Sequence, residues 1–181
     1  MTGGGPRRAP ALDDATRLKR AFRRHAAGVA LVTAVTESGP VGLTASSVAS
    51  VAADPPVLSF SVGLGRRTAE ALVVADRLDV HLLPASRAAL ADAFARPGAP
   101  RFTSEQGWEW RDGVPSLPDA LATLTCSVRA TVPVGPSVLV LADVHAVHLG
   151  PSAEPLLHHD RTFRGLGRVL PAHADGASAE A

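Results

Sequence analysis

The chain has a single cysteine, Cys126, so it can form no internal disulfide and cannot assemble a cysteine-rich metal site. Tyrosine, isoleucine and asparagine are missing, and Lys19 is the lone lysine among basic residues that are otherwise arginine. No apolar run approaches the roughly 18 residues that a membrane helix needs, so no membrane association is expected. Arg7 and Arg8 are not followed by an apolar stretch, which argues against a secretory signal and makes the cytoplasm the expected compartment. Net charge is only +1 and the basic residues are scattered, unlike the concentrated footprint of a nucleic-acid binder. No GxGxxG follows a strand pattern, so a Rossmann-type dinucleotide site is not supported.

What remains is an ordinary globular composition. Apolar residues make up 46% of 181, enough for one domain with a real core. Residues 1–11 are rich in Gly, Pro and Arg and residues 171–181 are small and polar, so both are expected to be loose tails around a folded body at 12–170. Leu12 to Ala27 reads as a helix capped by Asp13 or Asp14, with Leu12, Ala15, Leu18 and Phe22 as its apolar stripe and Gly28 as its stop. Val29 to Thr36 and Val41 to Ser50 read as a strand pair around the Ser38-Gly39-Pro40 turn, and Val57 to Val62 as a third strand. Arg67 to Ala75 reads as a short helix opened by Thr68, Leu78 to Leu83 as a strand, and Ala85 to Arg96 as a helix capped by Ser86.

Pro97 to Asp119 reads as a long loop, in which Trp108 and Trp110 are expected to anchor an interface. Leu124 to Val132 alternates cleanly, with Leu124, Cys126, Val128, Ala130 and Val132 on one face. Val138 to Leu149 is apolar on both faces at first, as a barrel wall packed against a partner chain would be. The fold class expected is mainly β with peripheral helices, a mostly antiparallel barrel.

Two segments carry chemistry. In Gly42-Leu43-Thr44-Ala45-Ser46-Ser47-Val48, three hydroxyls fall within four residues, and small side chains let a flat aromatic ligand approach the backbone. The same pattern also fits an ordinary Ser/Thr-rich strand end. In Ser61-Val62-Gly63-Leu64-Gly65-Arg66-Arg67-Thr68, a glycine-rich turn with two arginines meets a predicted helix start, a combination suited to a phosphate; Thr68 as a mere cap and the arginines as solvated charges fit as well.

The series GVALVTAV, GLTASSVASVAADPP, SVGLGRRT, DVHLLPAS, LADAFA, the Arg101-Phe102 pair and PLLHHDRTFRGL resembles the flavin-reductase-like family from about Leu18 to Leu166. The resemblance implies a homodimeric, FMN-binding split β-barrel. It would reduce FMN or FAD with NADH or NADPH and hand the reduced flavin to a partner monooxygenase. It further implies that Thr44, Ala45, Ser46 and Ser47 contact the ring edge and ribityl chain, and that Ser61, Arg67 and Thr68 hold the phosphate. Phe94, Ala95, Arg101 and Phe102 would border the site, and Asp54 with Pro55 would shape the loop behind the ring.

The chain departs from that family where many relatives carry Gly-Asp-His; here the place reads Gly135-Pro136-Ser137. Ser137, His158 and Phe163 therefore stand as the nicotinamide-side residues, and no acid–base residue is assigned as catalytic. The departure keeps two alternatives open: a flavoprotein with bound FMN acting on its own organic substrate, and a non-enzymatic flavin-binding dimer. His81 and Cys126 read as core residues, and His145 and His148, three apart on a strand, are badly placed to share a metal.

Overall fold

The computed structural model describes residues 13–167; the tails expected at 1–11 and 171–181 lie outside the described residues. In chain order, α1 (Asp14–Arg23) precedes β1 (Ala27–Gly28), β2 (Ala30–Thr36), β3 (Gly39–Ala45), β4 (Ala49–Ala53) and β5 (Pro56–Gly63). Next come α2 (Arg67–Val73), β6 (Leu78–Leu82) and α3 (Ala88–Ala95), then the short strands β7 (Glu109–Arg111) and β8 (Val114–Ser116). A long hairpin, β9 (Ala122–Val134) and β10 (Ser137–Leu149), leads to β11 (Leu157–His159) and β12 (Thr162–Arg164). None of the described helices is long and apolar enough to cross a membrane.

Seven strands form one sheet in the order β3-β2-β6-β9-β10-β5-β4, and every neighbouring pair is antiparallel. The two edge strands, β3 and β4, are consecutive in the chain and joined only by Ser46-Ser47-Val48. Four residue steps, from Ala45 to Ala49, reach at most about 14 Å even when fully extended. The sheet must therefore curl until its edges nearly meet, which makes it a barrel with one unpaired gap. Ser47, in the connection, is tied to β5, continuing the register of the Ala49–Ser59 pair: its Oγ accepts from the Ser61 N–H at 2.9 Å and donates to the Ser61 carbonyl at 3.2 Å.

Side-chain alternation along the β2 segment feeds two cores. Ala30, Val32 and Ala34 join Phe60, Val80 and Val140 in one cluster, into which Leu72 of α2 also packs. Val29 and Leu31 join Leu83, Leu90, Phe94, Trp108 and Leu156 in the second, beneath α3 and the β7–β8 hairpin. Buried His81 is satisfied within this frame, Nε2 lying 3.1 Å from Thr33 Oγ1 and Nδ1 3.0 Å from Thr123 Oγ1. Burial drops its pKa to about 4. Cys126 is likewise buried, and desolvation raises its thiol to about 12.

Several elements differ from the sequence reading for identifiable reasons. The strand expected from Val41 to Ser50 is two strands, because the chain must leave one sheet edge and join the other. Helix α1 stops at Arg23, since the Arg24 N–H already closes on Ala21 and Phe22, and Gly28 pairs in β1 instead of ending a helix. Arg66, not Thr68, is the N-cap residue of α2. Ser86 caps nothing: it sits in a 3₁₀ turn after Pro84 that runs into α3. The loop expected at 97–119 contains a 3₁₀ turn closed by a Thr103–Gln106 capping box and the β7–β8 hairpin. Trp108 is a core residue and not an interface anchor. A bulge at Arg129 ends the clean alternation of β9, and beyond it Ala130 and Val132 are exposed where the hairpin outruns the core.

Candidate functional site

The gap between β3 and β4 opens onto a cavity of about 370 Å³ lined by Leu43, Thr44, Ser61, Val62, Arg66, Thr68, Phe94, Ala95 and Arg101, among others. Its apolar wall comes from β3, β5 and α3. Thr44 fixes α3 to that wall by donating its hydroxyl to the Ala91 carbonyl. Phe94 is held edge-on against Phe102 with centroids 5.0 Å apart. Gly42 is needed beneath the pair, because a Cβ there would lie 2.9 Å from Phe94 Cε1 and 3.2 Å from Phe102 Cζ.

The charged end is unbalanced. Arg101 donates from Nη1 to the Gly42 carbonyl at 3.0 Å and from Nη2 to the Arg96 carbonyl at 3.1 Å. Its guanidinium lies 5.5 Å from the Phe94 ring centre, and its buried Nε has no partner. Burial, and then the neighbouring Arg66 charge, holds Arg101 below its ordinary pKa. Among the described residues, no carboxylate lines this cavity. Two guanidinia side by side without a counter-charge, one with an orphaned N–H, fit a phosphate group.

A second, larger groove of about 910 Å³ continues past Ser61, which lines both spaces. Ser46, Ser47 and Ser61 form its inner side, Lys19 and Arg23 of α1 another, and His158, Asp160 and Arg161 the third. The His158 ring stacks edge-on against Phe163 at 5.8 Å, which fixes the imidazole at the groove. A long ligand could thus lay a phosphate on Arg66 and Arg101 and a flat ring along the serines. The residues present fit a phosphate-bearing flavin.

The sequence-predicted residues divide as follows. Thr44, Ser61, Thr68, Phe94, Ala95 and Arg101 line the first cavity, and Ser46, Ser47 and His158 the second. Phe102 lines an adjoining cleft. Ala45 turns its side chain into the barrel core and can offer only its main chain. Arg66 and Arg67 are both exposed, but it is Arg66 that lines the first cavity, and Arg67, at the head of α2, does not. Asp54 lies in the turn joining β4 to β5, at the end of β5 away from Ser61, and so stands apart from the site. Ser137 pairs with Gly63 at the turn end of the β9–β10 hairpin and does not line the His158 groove. Arg66, Leu43 and Val62 fall inside the two segments that the sequence singled out, but none of these three was assigned to the site, and of the two adjacent arginines only Arg67 was. No local pattern singled out Arg66, because β5 ends at Gly63 and α2 begins at Arg67, leaving Arg66 in the turn between them.

Known proteins match the chain over most of its length. A 150-residue match at 38% identity pairs the chain with an NADH:FMN oxidoreductase of Rhodococcus qingshengii, covering 80% of this chain and 78% of that protein. The solved flavin reductase domain protein from an Arthrobacter species superposes with a TM-score of 0.79 at 31% identity, covering 89% of this chain and 99% of the other. The styrene monooxygenase flavin reductase of Pseudomonas putida superposes with a TM-score of 0.72 at 30% identity, covering 84% and 97%. The family model for the flavin reductase like domain matches residues 22–167, nearly all of the described fold, and the chain belongs to that family.

Proposed function

We propose that the protein is an NAD(P)H:flavin oxidoreductase that reduces FMN or FAD and supplies the reduced flavin to a partner monooxygenase. The observation that carries the flavin assignment is the uncompensated Arg66–Arg101 pair at one end of a cavity that runs on to Ser46 and Ser47. The relatives' names supply the reaction class: one is an NADH:FMN oxidoreductase, another the reductase of a styrene monooxygenase. When bound, the flavin supplies the two-electron acceptor for a hydride from the reduced nicotinamide.

The protein's part is binding and placement. Arg66 and Arg101 hold the phosphate, with Thr68 beside them. Leu43, Val62 and Phe94 exclude water from the ribityl chain. Ser46 meets the ring edge with its hydroxyl and Ser47, whose own hydroxyl proton goes to the Ser61 carbonyl, with its main chain, suited to the negative charge that reduction places there. His158, packed on Phe163, takes the nicotinamide side, since Ser137 does not line that groove. Lys19, Arg23 and Arg161 give the groove the positive charge that a dinucleotide pyrophosphate requires.

The working unit is a homodimer. Leu18 and Phe22 form the apolar stripe of α1, yet they are 60% and 66% exposed and no residue of that helix is buried. Val147 and Leu149 on β10 are also exposed, and an apolar hollow of about 310 Å³ lies between Val48, Leu58, Leu124 and Val144. The free, buried Cys126 suits a reducing compartment, the cytoplasm.

Anaerobic mixing with FMN and NADH tests the activity: bleaching of the flavin band at a rate set by protein concentration is expected. Retained yellow colour without nicotinamide oxidation would point to a flavoprotein acting on its own substrate. Light scattering tests the dimer, and a monomeric mass at micromolar concentration would refute it.

A further inference from the structure

Beside the flavin cavity lies a separate cleft of about 460 Å³ to which no role has yet been given. Thr68 and Arg101 line both spaces, so the cleft begins where the flavin phosphate would end. Its remaining walls are Pro40 and Val41 from the start of β3, with Phe102 and Trp110. Trp110 differs from its neighbour Trp108. Trp108 is buried in the aromatic cluster with Phe94 and Phe102, whereas Trp110 is 52% exposed on β7 and belongs to neither core cluster. The charged neighbours Glu109 and Arg111 pair with each other at 3.0 Å, and strand alternation puts them on the opposite face from the indole.

We propose that this cleft is an adenylate subsite that makes FAD the preferred flavin, with the adenine stacked on Trp110 and the second phosphate shared by Arg101 and Thr68. The proposal rests on the flavin reading above. An indole with a free face, next to a proline and a valine, offers a flat purine what it needs: apolar contact that does not depend on hydrogen-bond pattern. Among the described residues, no carboxylate lines the cleft to repel a phosphate. Arg101 lines both spaces, so its guanidinium charge faces the junction where the pyrophosphate would lie.

The test measures dissociation constants for FAD and FMN, and KM for NADH, in the wild type, Trp110→Ala and Trp110→Phe. Wild type should bind FAD more tightly than FMN. Trp110→Ala should raise the FAD constant about 10- to 100-fold while FMN stays within twofold, because stacking on an aromatic ring is worth that much per base. Trp110→Phe should keep most of the FAD affinity. Unchanged FAD affinity in Trp110→Ala overturns the proposal. So does a rise in KM for NADH alone, which would give the cleft to the nicotinamide dinucleotide's adenylate. Failure of the wild type to bind either flavin would instead bring down the flavin reading; tight FMN binding without an FAD preference would remove only the subsite.

Discussion

Arg66→Ala separates the two arginines that sequence alone could not tell apart. Both are exposed, but Arg66 lines the flavin cavity beside Arg101, while Arg67, at the head of α2, does not. Removing one charge-assisted contact to a phosphate costs about 1.5 to 2 kcal/mol when the group keeps some access to solvent. That converts to a roughly 10- to 30-fold weaker FMN complex. Riboflavin lacks the phosphate, so its affinity should move by less than about twofold. Arg67→Ala should leave both ligands within the same margin. Quenching of flavin fluorescence during titration reads all six constants, and added salt should shrink the Arg66 effect. Equal losses for FMN and riboflavin, or an Arg67→Ala loss as large as that of Arg66→Ala, would refute the phosphate assignment.

Gly42→Ala should lower stability by about 1 to 3 kcal/mol in thermal melts, because its new Cβ would drive Phe94 and Phe102 off their contact. Thr44→Val should cost about 1 to 2 kcal/mol in urea unfolding by freeing the buried Ala91 carbonyl. The pH dependence of stability should carry the signature of His81. Its folded pKa of about 4 lies below the ordinary value of 6.5, so the unfolded chain takes up a proton first. Stability is therefore lost as pH falls from about 6.5 towards 4, by roughly 3 kcal/mol in all. His81→Gln should flatten that decline between pH 7 and 4.5, and a parallel curve for the variant would contradict it.

The legible part of the fold was whatever depends on local pattern. The alternation around Val32, Leu58 and Val80 identified strands that the sheet indeed uses, and Asp13 caps α1 through the Thr16 N–H at 2.7 Å. The break inside Val41 to Ser50 was not legible, because Ser46-Ser47-Val48 reads as a continuation of a strand until the sheet order demands a crossing between edges. At the site, the hydroxyl run and the arginine turn were visible as composition. Which arginine faces inward depends on the extended backbone of Arg66, at φ −128° and ψ 129°, which no propensity distinguishes from its neighbour's helical start. Trp108 and Trp110 looked equivalent in sequence; only the packing of Phe94 and Phe102 divides them into core and cleft.

The unpaired stretch between β3 and β4 also bears on how the molecule is kept from sticking to others of its kind. Open strand margins are templates for aggregation, and this protein leaves two of them facing each other, with Ser47 tying their connection to β5. A ligand seated across that seam would act as the missing rung, so occupancy would protect the margins as well as equip the site. Amide hydrogens of Leu43 to Ala49 should then exchange markedly more slowly once flavin is added, and the ligand-free protein should be the form that precipitates first on warming.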